Sequence, residues 1–361
     1  MKIISGCQYV VCRSTKSGPL FRVALMGLCG IVPLLGVVAQ TADLNKAVHK
    51  VIDNGVIHAE VYLPDATNGF YRGTRFDWSG IIGELKYEGH NFYGPWFDKF
   101  EPDTHDYVVK DGDVVVGLAS GSMGPTEEFV TPLGYDDAPA GGTFVKIGVG
   151  VLRKPDNAKY DQYRAYKIIA GTKWRVKATA TSTEFEQRVM DKSSGYGYLY
   201  RKTIRLIPGL PQMLIEHTLK NIGTKPIDTN VYDHNFVVLD QQPSGPDFVI
   251  RVPYTIEAKG TVNAAFGYID GNTIHYAKQL SGNDRWSVAI GGYSNDANNY
   301  DFTVENTKEK ASVRITGDRP LANLSLFTIR TVVAVEPFVH LMAAKGQQIS
   351  WKYTYTYRAE K

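Results

Sequence analysis

Apolar and polar positions alternate along much of the chain. Met213, Ile215, His217 and Leu219 interleave with Leu214, Glu216, Thr218 and Lys220. Near the end, Ile349, Trp351, Tyr353, Tyr355 and Tyr357 interleave with Ser350, Lys352, Thr354 and Thr356. Successive side chains of a strand project to opposite faces, so this period of two predicts half-buried strands of antiparallel sheets. Turn-forming sequences punctuate such runs: Pro208-Gly209-Leu210-Pro211, Asn221 to Pro226 (NIGTKP) and Asp270-Gly271-Asn272. No long stretch carries a sustained 3.6-residue period, and there is no short repeat or low-complexity tract. The pattern predicts an all-β fold, one large antiparallel β-sandwich over residues 53–361. Residues 40–52, including ADLNKAVHKV at 42–51, are expected to be a linker or short helix before it.

The start of the chain reads differently. Residues 23–39 (VALMGLCGIVPLLGVVA) are apolar, follow a basic stretch and end in Val37-Val38-Ala39. That is the layout of a secretory signal, so residues 1–39 are expected to be a signal peptide cleaved after Ala39. The protein is then expected to be exported, periplasmic or extracellular, with no stable membrane partner after cleavage. An uncleaved anchor is the alternative, opposed by Pro33 and the small residues that follow.

This leader changes the meaning of the charge. The full chain has 40 basic and 37 acidic residues, a formal +3. Lys2, Arg13, Lys16 and Arg22 all precede residue 40, where no Asp or Glu occurs, leaving 36 basic against 37 acidic residues. A nearly neutral body gives no electrostatic case for nucleic acid as a partner. Cys7, Cys12 and Cys29, the only cysteines, also fall in the leader. The exported chain therefore has no disulfide, zinc–thiolate site or cysteine nucleophile. The 22 tyrosines suit strands and sugar-facing surfaces alike.

Four segments carry candidate chemistry. On a strand, Asn230, Tyr232, His234 and Phe236 share one face. An imidazole between aromatic rings can exchange protons beside a stacked sugar, or it can be a hydrogen-bonded core histidine. In Val332 to Phe338 (VVAVEPF), Glu336 follows four small apolar residues. It is either salt-bridged or a base whose pKa partial burial raises. Gly121 to Phe129 (GSMGPTEEF) reads as an irregular loop whose Glu127 and Glu128 are either solvated or bind hydroxyls or a cation. Gly69 to Gly80 (GFYRGTRFDWSG) gathers Arg72, Arg75, Asp77 and Trp78, as sugar contacts or as a structural Arg–Asp pair. Gly148-Val149-Gly150 is no dinucleotide loop, since Arg153 stands where the third glycine would be and no helix follows.

Together these segments resemble the galactose mutarotase (aldose 1-epimerase) superfamily, in matching order over nearly all of the chain after the leader. Arg75 to Gly94 looks like that superfamily's early hairpin, with His90 at its tip. Leu219-Lys220-Asn221-Ile222-Gly223 and Tyr232 to Phe236 look like its central turn and histidine strand, and Val335-Glu336-Pro337 like its late glutamate. The resemblance implies the large sandwich of that superfamily. It implies a reaction in which Glu336 takes the proton of the C1 hydroxyl and His234 protonates the ring oxygen, with no metal or cofactor. Arg75, Glu127, Glu128, Tyr232, Asp233, Phe236 and Arg153 would contact the sugar or oligosaccharide. Glu127-Glu128 and Arg153 stand where many members carry a second histidine and an arginine, a departure from the pattern. A non-catalytic carbohydrate-binding or glycan-processing accessory protein is the alternative. A lyase or hydrolase of uronic-acid polymers is disfavoured, because the Glu127-Glu128 pair would make its groove acidic.

Overall fold

The computed structural model describes residues 47–360; the expected signal peptide lies outside them. Two antiparallel sheets of ten and six strands dominate, with three small sheets at their margins. The alternating segments become central strands of the ten-stranded sheet. Gln212–Asn221 pairs with Gln348–Ala359 in a register that sets Ile215 opposite Tyr353 and His217 opposite Trp351. Met213, Ile215, His217 and Leu219 are buried, as are Trp351, Tyr353, Tyr355 and Tyr357. All of these but His217 form one core with Val231, Val335, Val339 and Leu341 of the six-stranded sheet. Each such aliphatic side chain removed from water contributes about 1.5–3 kcal/mol.

The expected linker or short helix over 40–52 is corrected in part: His49–Asp53 is a strand paired antiparallel with His58–Tyr62. Its β-branched Val51 and Ile52 fit that state, and only Ile52 is turned into the core.

The second correction concerns Gly121 to Phe129. Gly124–Phe129 is a strand of the six-stranded sheet, wholly buried and paired with Ile227–Val237. An element covered on both faces shows no alternation, so two adjacent acids and a proline read as a loop. The six-stranded sheet continues through Val332–Ala343, Asn323–Ile329 and Arg285–Gly291, and its outer face carries the site.

Candidate active site

The Ile227–Val237 strand lies between Gly124–Phe129 and Val332–Ala343, which sets Tyr232 opposite Phe338. On the next strand Ser325 lies opposite Glu336. The outward-facing residues of these strands floor a cavity of about 290 Å³, walled by Trp96 and Tyr107 and reached by Arg75 and Arg285.

On that floor His234 and Glu336 are in contact. Nε2 of the imidazole lies 2.9 Å from Oε1 of the carboxylate, and the Ser325 hydroxyl donates to Oε2 at 2.8 Å. The imidazole stacks on Phe236 at 3.8 Å between centroids, with Phe76 and Phe327 edge-on. Its Nδ1 is buried without a hydrogen-bond partner, so Nε2 makes the ring's polar contact. Burial alone would raise the pKa of Glu336. The neighbouring His234, then Ser325 and Arg75, outweigh it, and the net displacement is downward. This corrects the expected rise: the group stands ready as a carboxylate.

Arg75 and Tyr232 share the same wall. The Arg75 Nε donates to Glu128 at 2.7 Å and a terminal nitrogen to the Tyr232 hydroxyl at 2.8 Å. The guanidinium also lies over the Phe76 and Tyr163 rings, at 4.4 and 4.9 Å. Glu128 is fully buried behind it and takes Lys146 at 3.0 Å on its other oxygen. It fixes Arg75 and does not line the cavity, which corrects its expected role as a sugar contact.

Glu127 and Asp233 are corrected likewise. Alternation turns both to the inner face of the sheet, into a polar cluster between the sheets. Glu127 lies 2.8 Å from His217 Nε2 and 2.7 Å from Lys202. Lys202 donates to the Ser79 carbonyl at 3.0 Å and faces Asp77 at 3.7 Å. Arg75 and Asp77 thus have separate partners and form no structural pair. Burial would raise the pKa of Glu127, but His217 and Lys202 lower it to about 2. With both glutamates buried beside cations, neither makes the cavity acidic, and that objection to acidic sugars falls away.

Gly148 serves this cluster. A Cβ there would meet Asp77 at 2.7 Å, and the Gly148 carbonyl accepts from the Trp78 amide at 3.1 Å.

Asp233 is fully buried and accepts a hydrogen bond from the Tyr355 hydroxyl. Burial first, then Glu127, pushes its pKa up to about 7. The folded state thus keeps a proton that the unfolded carboxyl releases near pH 4, so stability falls as pH rises from about 4 towards 7. Between pH 5 and 8 the thermal midpoint is expected to drop by about 4 °C on this account. Scanning calorimetry of Asp233→Asn across that range should show a flatter profile; an unchanged slope would refute the assignment.

Arg153 is the last correction. It ends the Gly150–Arg153 strand, is exposed and donates to the Gly141 carbonyl at 2.5 Å, away from the cavity. Of the expected site residues, the fold gathers His234, Glu336, Arg75, Tyr232 and Phe236. Sequence reading missed Trp96, Tyr107, Phe327, Arg285 and the role of Ser325. Ser325 had a signal: in Asn323–Ile329, Ser325 and Phe327 alternate with Leu324 and Leu326. That marks a strand with one face outside the core. Arg285 lies over the Tyr107 and Phe327 rings and has no carboxylate partner among the described residues.

No protein-family model matches the sequence. No curated protein matches it either. Solved structures do. One is the GalM/aldose epimerase homologue from C. elegans, with 12% identity and a TM-score of 0.51 over 87% of this chain and 100% of that one. Another is the Slr1438 protein from Synechocystis sp. PCC 6803, at 12% identity and a TM-score of 0.50, covering 87% and 96%. The chain is an all-β protein with the galactose mutarotase-like fold.

Proposed function

We propose that this protein is an aldose 1-epimerase-like enzyme that interconverts sugar anomers by acid–base ring opening, and that it acts after export. The observation that carries this is the His234–Glu336 contact of 2.9 Å on an aromatic-walled cavity floor. Opening a cyclic hemiacetal needs a base at the C1 hydroxyl and an acid at the ring oxygen, two atoms bonded to one carbon. Glu336, held as a carboxylate, takes the first proton. The His234 imidazolium gives one from Nε2 to the ring oxygen. Rotation about C1–C2 presents the other carbonyl face, and reversal of both transfers closes the other anomer. The half-buried rings of Tyr107 and Phe327, edge to face at 6.0 Å, offer apolar surface to a pyranose, and Arg75 supplies donors.

Exchange NMR on a panel of aldoses tests this reading. The panel includes uronic acids, since Arg285 faces the cavity without an acidic partner. At least one sugar is expected to equilibrate much faster than in buffer. Glycan binding with no acceleration of any sugar would overturn the enzyme in favour of a carbohydrate-binding protein.

A further inference from the structure

Three segments that play no part in the cavity bring metal-ligating atoms together elsewhere. His90 is at the tip of the early hairpin, Asp240 in the short Leu239–Gln241 turn after the His234 strand, and Glu309 in the turn between Asp301–Asn306 and Ala311–Gly317. One ligand atom from each lies within 4.8 Å of the others. His90 Nδ1 is 2.6 Å from one Asp240 oxygen, and the other accepts from the Asn91 amide at 2.7 Å. The three are half-buried.

We propose that His90, Asp240 and Glu309 bind a divalent transition ion of the zinc or manganese class. A His–Asp hydrogen bond alone would account for the first two residues. It does not account for Glu309, a second, half-buried carboxylate brought beside the first. The ammonium nearest it, on Lys308, stands 3.9 Å away and is 62% exposed, so little local charge offsets the two acids. One imidazole nitrogen and two carboxylate oxygens at about 2.0–2.2 Å from an ion lie roughly 3–4 Å apart, inside the 4.8 Å that bounds the three here, and an entering ion would part His90 Nδ1 and Asp240 from their 2.6 Å hydrogen bond. The nitrogen ligand favours zinc, the two carboxylates also suit manganese, and calcium and magnesium prefer all-oxygen sites. The bound ion would tie the early hairpin and the end of the His234 strand to a turn of the ten-stranded sheet.

Isothermal titration of the untagged chain with Zn²⁺, Mn²⁺, Ca²⁺ and Mg²⁺ tests this, beside thermal scans with ion or chelator. One Zn²⁺ or Mn²⁺ per chain is expected, with a midpoint raised by about 4 °C at a hundredfold excess over Kd. Glu309→Gln and His90→Ala should each weaken binding about tenfold or more. His340→Ala, at an exposed His–Asp pair with no third ligand, should leave it unchanged. No stoichiometric ion, a preference for calcium or magnesium, or full binding by both site variants would overturn the proposal.

Discussion

Glu336→Gln is expected to slow anomer exchange by about 10²–10⁴-fold without loss of the fold. The amide keeps the size of the carboxylate and can still accept from Ser325, whose hydroxyl lies 2.8 Å from Oε2. What it loses is the ability to take a proton from the C1 hydroxyl. Because His234, Ser325 and Arg75 hold the carboxyl below its ordinary value, the wild-type base is ionised throughout the neutral range. The acid limb of the rate profile should therefore lie below the usual carboxylate range, and the Gln variant should lack that limb. His234→Asn is expected to lose a comparable factor by removing the proton donor. Exchange rates for both variants, with circular dichroism to verify folding, settle the matter. A Glu336→Gln enzyme within a factor of about three of wild type would refute the assignment of the base.

How much of this was legible in the sequence depends on how each strand is covered. The strands of the large sheet were readable because one face is buried and the other is not, as in Ser350 to Tyr357. The His234 strand was readable on its outer face, where Tyr232, His234 and Phe236 alternate, and Glu336 stood out against its apolar run. Gly124–Phe129 was unreadable because both its faces are covered. Its glutamates find partners far away in sequence, Arg75 at a separation of 53 residues and His217 at 90. Only the fold brings those cations to the acids. The same cause hid the role of Asp233. The resemblance carries it to the sugar with the rest of the Tyr232 to Phe236 segment, yet in a strand the residue next to His234 points the other way. Trp96, Tyr107 and Arg285 come from elements whose convergence on the cavity no local pattern announces.

The site is thus one face of a strand whose other face belongs to a buried charge cluster. Lys202→Met is expected to destabilise the protein by about 3–5 kcal/mol. Lys202 is 1% exposed and stands 2.7 Å from Glu127, with Asp77 at 3.7 Å. Removing its charge leaves the Asp77 and Glu127 carboxylates in the interior with no ammonium beside them, and uncompensated buried charge is far costlier than a lost surface pair. Against a total stability of about 5–15 kcal/mol, such a loss shows directly in urea denaturation as a lower midpoint. The double variant Lys202→Met with Glu127→Gln should recover part of the loss, because it removes the stranded charge along with its partner. A single variant within about 1 kcal/mol of wild type would mean that water or rearrangement relieves the cluster. If the loss occurs, the cluster is a condition for the site. Glu127 is paired across the sheet with Asp233, whose chain neighbour is His234, so a fault beneath the strand reaches the imidazole through one residue of backbone.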